Sequence, residues 1–437
     1  MAVGLPLALV AVACGDSGDD PNLDAGGDDA GAEIDYEALG LWDDGPCDEA
    51  REPLVVGLMT VFESPVISLE SHALALDASA EAFNARGGAN GACIEVHACD
   101  DGATLNQSLA CVDELDDAGV VATVNDLGTA GQLEVSTAMA TAGIPRVGSN
   151  VSNLDWQDQN AYPLDASGTG FIFLMPKGLI EEGADEIAVV RVDLAAASAL
   201  QGLLAGIYEG EATFPVDVPV PAGTTDYTQF IHAAEDAGAE SIALALGPQE
   251  GLQVVRAGQQ LDTDLLMGSS VSTLGHSTAA ELGEFADQVV FLHSYPPATY
   301  DLPVYEALRD DLLASGEETL RPENLPATAM RSWIGLYALL WMIRDTGMTE
   351  FTRDGMSEML DQAAAVPMLD MFGGEDWTPS LNHPGVFQRA GTNHWAIWRW
   401  DPEASAPNGL EGNFVEGAGI SFDEVLCGTP LGAPPPC

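Results

Sequence analysis

The chain has 437 residues, 46% of them apolar, which is enough material for buried cores in two or three domains. Its 69 acidic residues against 13 basic ones give a formal charge of −56. A surface of that sign repels phosphate backbones and anionic lipid, which excludes nucleic acid as a partner, and the apolar fraction excludes a wholly disordered chain.

In chain order, the first feature is an apolar run from Gly4 to Ala13, ending in Ala11-Val12-Ala13-Cys14. A bilayer span needs about 20 residues, so this run suits the core of a signal peptide instead. Small residues directly before a cysteine resemble a bacterial lipobox. That resemblance implies a lipoprotein signal peptide over residues 1–14, with Cys14 lipidated as the mature N-terminus. Membrane contact is then expected only through this anchor, in the periplasm or cell envelope. Gly15 to Asp35 is almost all Gly, Asp, Ala and Ser, without apolar periodicity. Residues 15–50 therefore read as a self-repelling acidic tether. Their aspartates lack the ligand spacing of an EF-hand and its terminal glutamate.

Six further cysteines follow: Cys47, Cys93, Cys99, Cys111, Cys427 and Cys437. An even count in an exported chain indicates disulfides, whose connectivity the count does not fix. The expected pairs are Cys47 with Cys93, Cys99 with Cys111, and Cys427 with Cys437 in the tail (residues 427–437). The first pair would join the entries of two neighbouring strands. The second would tie a strand end to the helix after it. His97-Ala98-Cys99-Asp100-Asp101 carries metal-capable side chains, but a disulfide plus a helix cap accounts for it. No metal or cofactor is expected.

From Leu54 the pattern alternates. Leu54–Met59 reads as a buried strand, and Leu69–Ala85 has apolar residues at helical spacing until Gly87-Gly88 stops it. Cys93–Ala98 is a strand, Thr104–Ala118 a helix, Val120–Val124 a strand, Gly128–Ala142 a loop then helix, and Ile144–Val147 a strand. A second block repeats the alternation: strands at Glu186–Val192, Phe214–Val220, Ser241–Leu246, Leu265–Gly268 and Gln288–His293, with helices at Ala195–Tyr208, Tyr227–Ala237 and Gln249–Gln260. Such alternation implies βαβ units and parallel sheets. Ala327–Thr346 is a long apolar helix interrupted by Arg331 and Arg344, expected in a core. Asn393–Trp400 alternates aromatic and polar residues and is expected as an edge strand.

Leu54-Val-Val-Gly-Leu-Met, then Ala80-Glu-Ala-Phe-Asn-Ala-Arg-Gly-Gly-Ala-Asn-Gly, then Ile94-Glu-Val-His-Ala-Cys-Asp-Asp-Gly resembles the opening of the branched-chain amino-acid-binding proteins. Gly143-Ile-Pro-Arg-Val-Gly-Ser-Asn and Asp226-Tyr-Thr-Gln-Phe extend the likeness over about Leu54 to Trp400. It implies an α/β type I periplasmic binding fold: two Rossmann-like, doubly wound lobes joined by a three-strand hinge. The expected lobes are residues 51–168 plus 299–370 and residues 169–298 plus 371–426.

The resemblance also implies a site. Ligands of open α/β sheets lie beyond the carboxyl ends of strands, where helix N-termini offer free N–H groups. In the first lobe the matching positions are Gly128, Thr129 and Ala130 after the third strand, and Val151 and Ser152 after the fourth. Phe62 and Ser64 border the cleft. In the second lobe, tyrosine is replaced by the stretch from Asp193, an aromatic by Gly247-Pro-Gln, and the acid that would meet an ammonium by Ser269-Ser270. Asp193, Gly247 and Ser270 are carried as contacts, and the ligand is expected to be a small polar molecule, amino-acid- or amide-like. No G-x-G-x-x-G, P-loop, G-x-S-x-G or H-E-x-x-H occurs, so an enzyme is not expected. The expected function is the solute-binding component of an ABC transporter, partnered by its permease. The alternative is a sensing or scaffold lipoprotein of the same fold.

The charge makes a prediction. Raising NaCl from about 10 mM to about 1 M shortens the screening length from about 30 Å to about 3 Å. The unfolding midpoint of residues 35–437 should rise across that series, and a flat calorimetric profile would show that self-repulsion is not a significant term.

Overall fold

The computed structural model describes residues 34–62, 68–127, 130–149, 157–193, 197–270, 275–383, 385, 387–429 and 431–432. The signal peptide, Cys14, most of the tether, Ser64, Gly128, Thr129, Val151, Ser152 and Cys437 lie outside them.

The unit Asp35–Cys437 is built on two sheets. The first holds β1 (Leu54–Thr60), β2 (Ile94–Asp100), β3 (Ala122–Val124), β4 (Arg146–Val147) and β5 (Ala161–Tyr162) in the order β2-β1-β3-β4-β5, all parallel. Its crossover helices are α1 (Glu70–Ala85), α2 (Leu105–Asp117) and α3 (Gln132–Ala142). The expected turn after α1 has a local cause. Asn84 Nδ2 donates to Ile94 O at 2.9 Å and its Oδ1 accepts from Ile94 N at 2.7 Å, tying the helix end to the start of β2. Gly88 has φ +52°, and a Cβ there would lie 2.2 Å from Ala92 O. Only glycine fits that approach.

After β5 the chain enters α4 (Ser167–Glu181) and the second sheet. Its strands are β6 (Ile187–Val192), β7 (Asp217–Val220), β8 (Ser241–Ala245), β9 (Leu266–Ser270), β10 (Val289–His293), β11 (His394–Ser405) and β12 (Glu411–Ser421), ordered β12-β11-β10-β9-β8-β6-β7. Strands β6 to β10 are parallel, and β11 and β12 are antiparallel additions. The helices here include α5 (Leu200–Ile207), α6 (Thr228–Asp236), α7 (Pro248–Leu261) and α8 (His276–Leu282). The sequence reading needs two corrections: residues 41–47, read as tether, are packed, with Leu41 and Trp42 buried and Cys47 bonded to Cys93, and β11 is not an edge. It lies between β10 and β12, which bury Trp395, Trp398 and Trp400. Aromatic alternation shows that one face is covered; it does not reveal whether a further strand pairs beyond.

From β10 the chain returns to the first sheet through α9 (Val304–Leu313), α10 (Ala327–Thr346) and α11 (Arg353–Gln362), before β11 and the short α12 (Phe422–Leu426). Helix α10 is buried on nearly every face and packs on α1 and β3. Trp333 and Tyr337 stack at 5.8 Å, and Trp42 stacks on Phe83 at 5.4 Å. Arg86 of α1 makes a two-pronged pair with Asp311 of α9, both contacts 2.6 Å, and Trp333 Nε1 donates to the same carboxylate. The structure joins Cys47 to Cys93 and Cys99 to Cys111. Cys427 is also disulfide-bonded. No helix among the described residues is long and apolar enough to cross a membrane.

The chain thus passes between the sheets three times, at residues 163–166, 294–303 and 387–393. These passages are bonded to one another. Asp165 bridges Thr392; Thr392 N and Oγ1 both reach Leu164 O, at 2.7 and 2.9 Å; and Ser294 Oγ donates to Asp165 Oδ2. Arg331 of α10 completes the junction, its Nη2 lying 2.5 Å from Asp165 Oδ1, with both side chains buried.

Removing one partner of a buried ion pair costs about 3–5 kcal/mol, because the other charge is left uncompensated. Asp165→Asn should therefore lower the free energy of urea unfolding by about that amount. A loss below about 1 kcal/mol would show that the pair contributes little.

Candidate functional site

The topology selects one region. Strand β5 leaves the first sheet at its carboxyl end and runs straight into the first passage; β10 leaves the second sheet at its carboxyl end and runs into the second passage. The carboxyl ends of both parallel sheets therefore meet at the junction around Asp165, and the space they flank is where open α/β sheets bind ligands.

Five of the sequence-derived positions are described. Phe62 is half-buried just past β1; its N–H donates to Asp100 Oδ1 at 3.0 Å, and its carbonyl accepts from Ser68 Oγ at 2.7 Å. Ala130 is half-buried just before α3. In the second lobe, Asp193 follows β6 and is exposed, Gly247 caps α7 at the end of β8, and Ser270 ends β9 and is buried. Phe62, Asp193, Gly247 and Ser270 lie at or within two residues of strand carboxyl ends, and Ala130 lies in the turn that leads into α3. The remaining ligand positions, Ser64, Gly128, Thr129, Val151 and Ser152, fall outside the described residues.

The structure adds residues that the sequence reading did not assign to the site. Asn125, which follows β3 with φ +56°, is buried and donates from Nδ2 to Thr328 O at 3.0 Å and Ser332 Oγ at 2.9 Å. Ser332 Oγ donates onward to His72 O, in the first turn of α1, at 2.8 Å. Thus α1, α10 and the end of β3 are locked together. Nearby, Thr123 Oγ1 donates to Asp126 at 3.1 Å, and Asp126 accepts from Arg146 Nε at 2.7 Å. One sequence signal was available for Arg331: a cation followed by twelve uncharged, mostly apolar residues of the same helix needs a buried partner.

The electrostatics follow from burial. His72 is fully enclosed, and burial followed by the nearby Arg331 charge lowers its pKa to about 3. Burial likewise lowers that of His293, at the end of β10, to about 4, although Asp165 pulls the other way. Burial alone would raise the Asp165 carboxyl, but Arg331, His293 and Ser294 together hold it below its usual value. The junction is therefore an Asp⁻–Arg⁺ pair flanked by two neutral imidazoles. Away from it, burial opposes charge on His383, but Asp423 at 3.0 Å outweighs that and raises its pKa.

Residues 53–395 match the model of a family described as periplasmic binding protein. The chain belongs to that family. Solved structures agree on the fold. A solute-binding protein of an ABC transporter from R. palustris, in complex with 4-hydroxybenzoate, has a TM-score of 0.66 at 16% identity, covering 85% of this chain and 97% of that one. A fatty acid ABC transporter substrate-binding protein from Thermomonospora curvata matches with a TM-score of 0.66 at 16% identity, covering 85% and 93%. The leucine-, isoleucine-, valine-, threonine- and alanine-binding protein from Brucella ovis, in a closed conformation, matches with a TM-score of 0.64 at 12% identity, covering 86% and 96%. No curated protein matches the chain in sequence. The family and fold are those of solute-binding proteins, and the family places this member outside the cytoplasm.

The histidines set the acid behaviour. An unfolded histidine titrates near 6.5. Between that pH and about 3 or 4 the unfolded chain takes up protons that folded His72 and His293 refuse. Stability should therefore fall as pH drops through this window, by about 2 kcal/mol per histidine at pH 5. His383 contributes with the opposite sign: its stabilisation is present below about pH 6.5 and lost as pH rises through its raised value. Urea unfolding at pH 7 and pH 5 reads the balance. In His72→Leu the loss between the two pH values should shrink by about 2 kcal/mol, and an unchanged loss would contradict a neutral His72.

Proposed function

We propose that the chain is the extracytoplasmic solute-binding component of an ABC transporter, which captures a small polar molecule between its lobes and presents the closed form to a membrane permease. The observation that carries this reading is the meeting of two sets of parallel-strand carboxyl ends at one bonded junction, in a chain of this family. Closing two lobes around a ligand creates a distinct shape that a permease can read, and no bond chemistry is needed. The lobes are read as residues 51–168 plus 299–370 and residues 169–298 plus 371–426. Phe62, Ser64, Gly128, Thr129, Ala130, Val151, Ser152, Asp193, Gly247 and Ser270 are assigned to the ligand. Cys14 carries the lipid that holds the protein at the membrane.

A thermal-shift screen of residues 35–437 against amino acids, amides, organic acids and polyols tests this. A ligand at 100 times its Kd should stabilise the fold by about 2.7 kcal/mol. Absence of a shift with every compound, in a well-folded sample, would favour a scaffold or sensing lipoprotein.

A further inference from the structure

His383 stands beside the third passage with both ring nitrogens engaged. Nε2 lies 2.6 Å from Gly391 O, and Nδ1 lies 3.0 Å from Asp423 Oδ2 of α12. A carbonyl oxygen and an ionised carboxylate only accept hydrogen bonds, and a neutral imidazole carries a single N–H. Both contacts are hydrogen bonds only when the ring is doubly protonated. The surroundings favour that form. Burial opposes charge on the ring, but Asp423, Gly391 O and Glu375 outweigh it and raise the pKa above the ordinary value near 6.5. The titratable groups around the ring are Asp423 from α12 and Glu375 and Asp376 from the segment before the third passage, which line a cavity of about 360 Å³ with His383. All three are acidic. Arg389, the arginine of the third passage, is engaged elsewhere, by Pro379 O and Gln159. Asp423 is partly exposed, so protons reach the pair from solvent.

The carbonyl that His383 holds belongs to a point of close approach. Gly391 has φ +70°, and a Cβ there would lie 2.3 Å from Leu164 C and 2.5 Å from Asp165 N, so the third passage presses on the first at this residue. The next residue, Thr392, donates from N to Leu164 O and bridges Asp165. His383 N donates to Gln388 O at 2.7 Å, which fixes the backbone that carries the ring to the same passage. Loss of one proton undoes this arrangement at one end. The remaining N–H stays with the carboxylate, because hydrogen bonds to a charged acceptor are the stronger ones. The Nε2 lone pair then faces Gly391 O, and two acceptors at 2.6 Å repel.

We propose that His383 is a proton-operated clamp on the third passage: the charged ring ties Gly391 to α12, and the neutral ring releases Gly391 and loosens its contact with the first passage. Mildly acidic surroundings therefore stiffen the junction between the two sheets, and alkaline surroundings free it. The clamp acts whatever the protein binds.

Hydrogen exchange at the Thr392 amide, beside an NMR titration of the His383 ring, tests this on the full-length protein from about pH 6 to about pH 9. The ring should titrate inside that range. Across the same transition the protection of Thr392, corrected for the intrinsic rate, should fall about tenfold. Asp423→Asn removes the acid that most favours the charged ring, so both transitions should move to lower pH together. In His383→Gln, whose side-chain amide can donate to Gly391 O at any pH, the protection should not depend on pH. A ring already neutral at the acid end of the range, or still charged at its alkaline end, overturns the clamp. So does a ring that titrates while Thr392 stays equally protected, or a loss of protection that persists in His383→Gln. If His383→Gln does not fold, the clamp is overturned by transitions that fail to move together in Asp423→Asn.

Discussion

The ion pair between Asp165 and Arg331 is the constraint on which the rest of the architecture depends. Asp165 belongs to the first passage between the sheets, and Arg331 to the central helix of the first lobe. Around this pair gather Ser294 from the second passage and, through the neighbouring Leu164, Thr392 from the third. A buried carboxylate tolerates ionisation only where charge and donors converge on it, so the pair fixes where the three passages must lie. The carboxyl ends of β5 and β10, which lead into two of these passages, are positioned by the same point.

Three other arginines are used in the same manner. Arg86 with Asp311, Arg146 with Asp126, and Arg191 with Asp217 are each at least partly buried pairs. Lys177 is the one lysine in the sequence. The planar guanidinium suits enclosed, two-pronged pairing better than an ammonium does, so arginine is the form in which positive charge enters this interior. With 13 basic residues against 69 acidic ones, most of the acidic excess has no counter-charge, and the cations drawn inside widen that gap at the surface.

How far the sequence could be read depends on the range of the determining interaction. The alternation of β1 to β10 with their helices was legible because each element carries its own apolar period. The stop after α1 was legible because Asn84, Gly87 and Gly88 act on neighbours within about ten residues. Strand β12 was not legible: its Glu- and Gly-rich sequence has mostly exposed positions and gains its place only by pairing with β11. Helix α4, with Pro176 inside it, was also missed. The junction was illegible for the same reason at greater distance, since Arg331 and Asp165 stand 166 residues apart.

The first lobe is discontinuous in a way that bears on how the protein is made. Its sheet and crossover helices α1 to α3 come from residues 54 to 162, yet α9 and α10, which pack over α1 and β3, come from 304 to 346. A chain threaded across a membrane from its N-terminus therefore delivers the first sheet well before its lid, with the whole parallel part of the second lobe arriving in between. Long-range assembly of this kind is slow, and the apolar surface that α10 will cover is prone to aggregate meanwhile. Both disulfides resolved between described residues, Cys47–Cys93 and Cys99–Cys111, lie within that early segment. They can close as soon as residue 111 reaches an oxidising compartment, and so act as a holding clamp on a half-built lobe until its own helices appear.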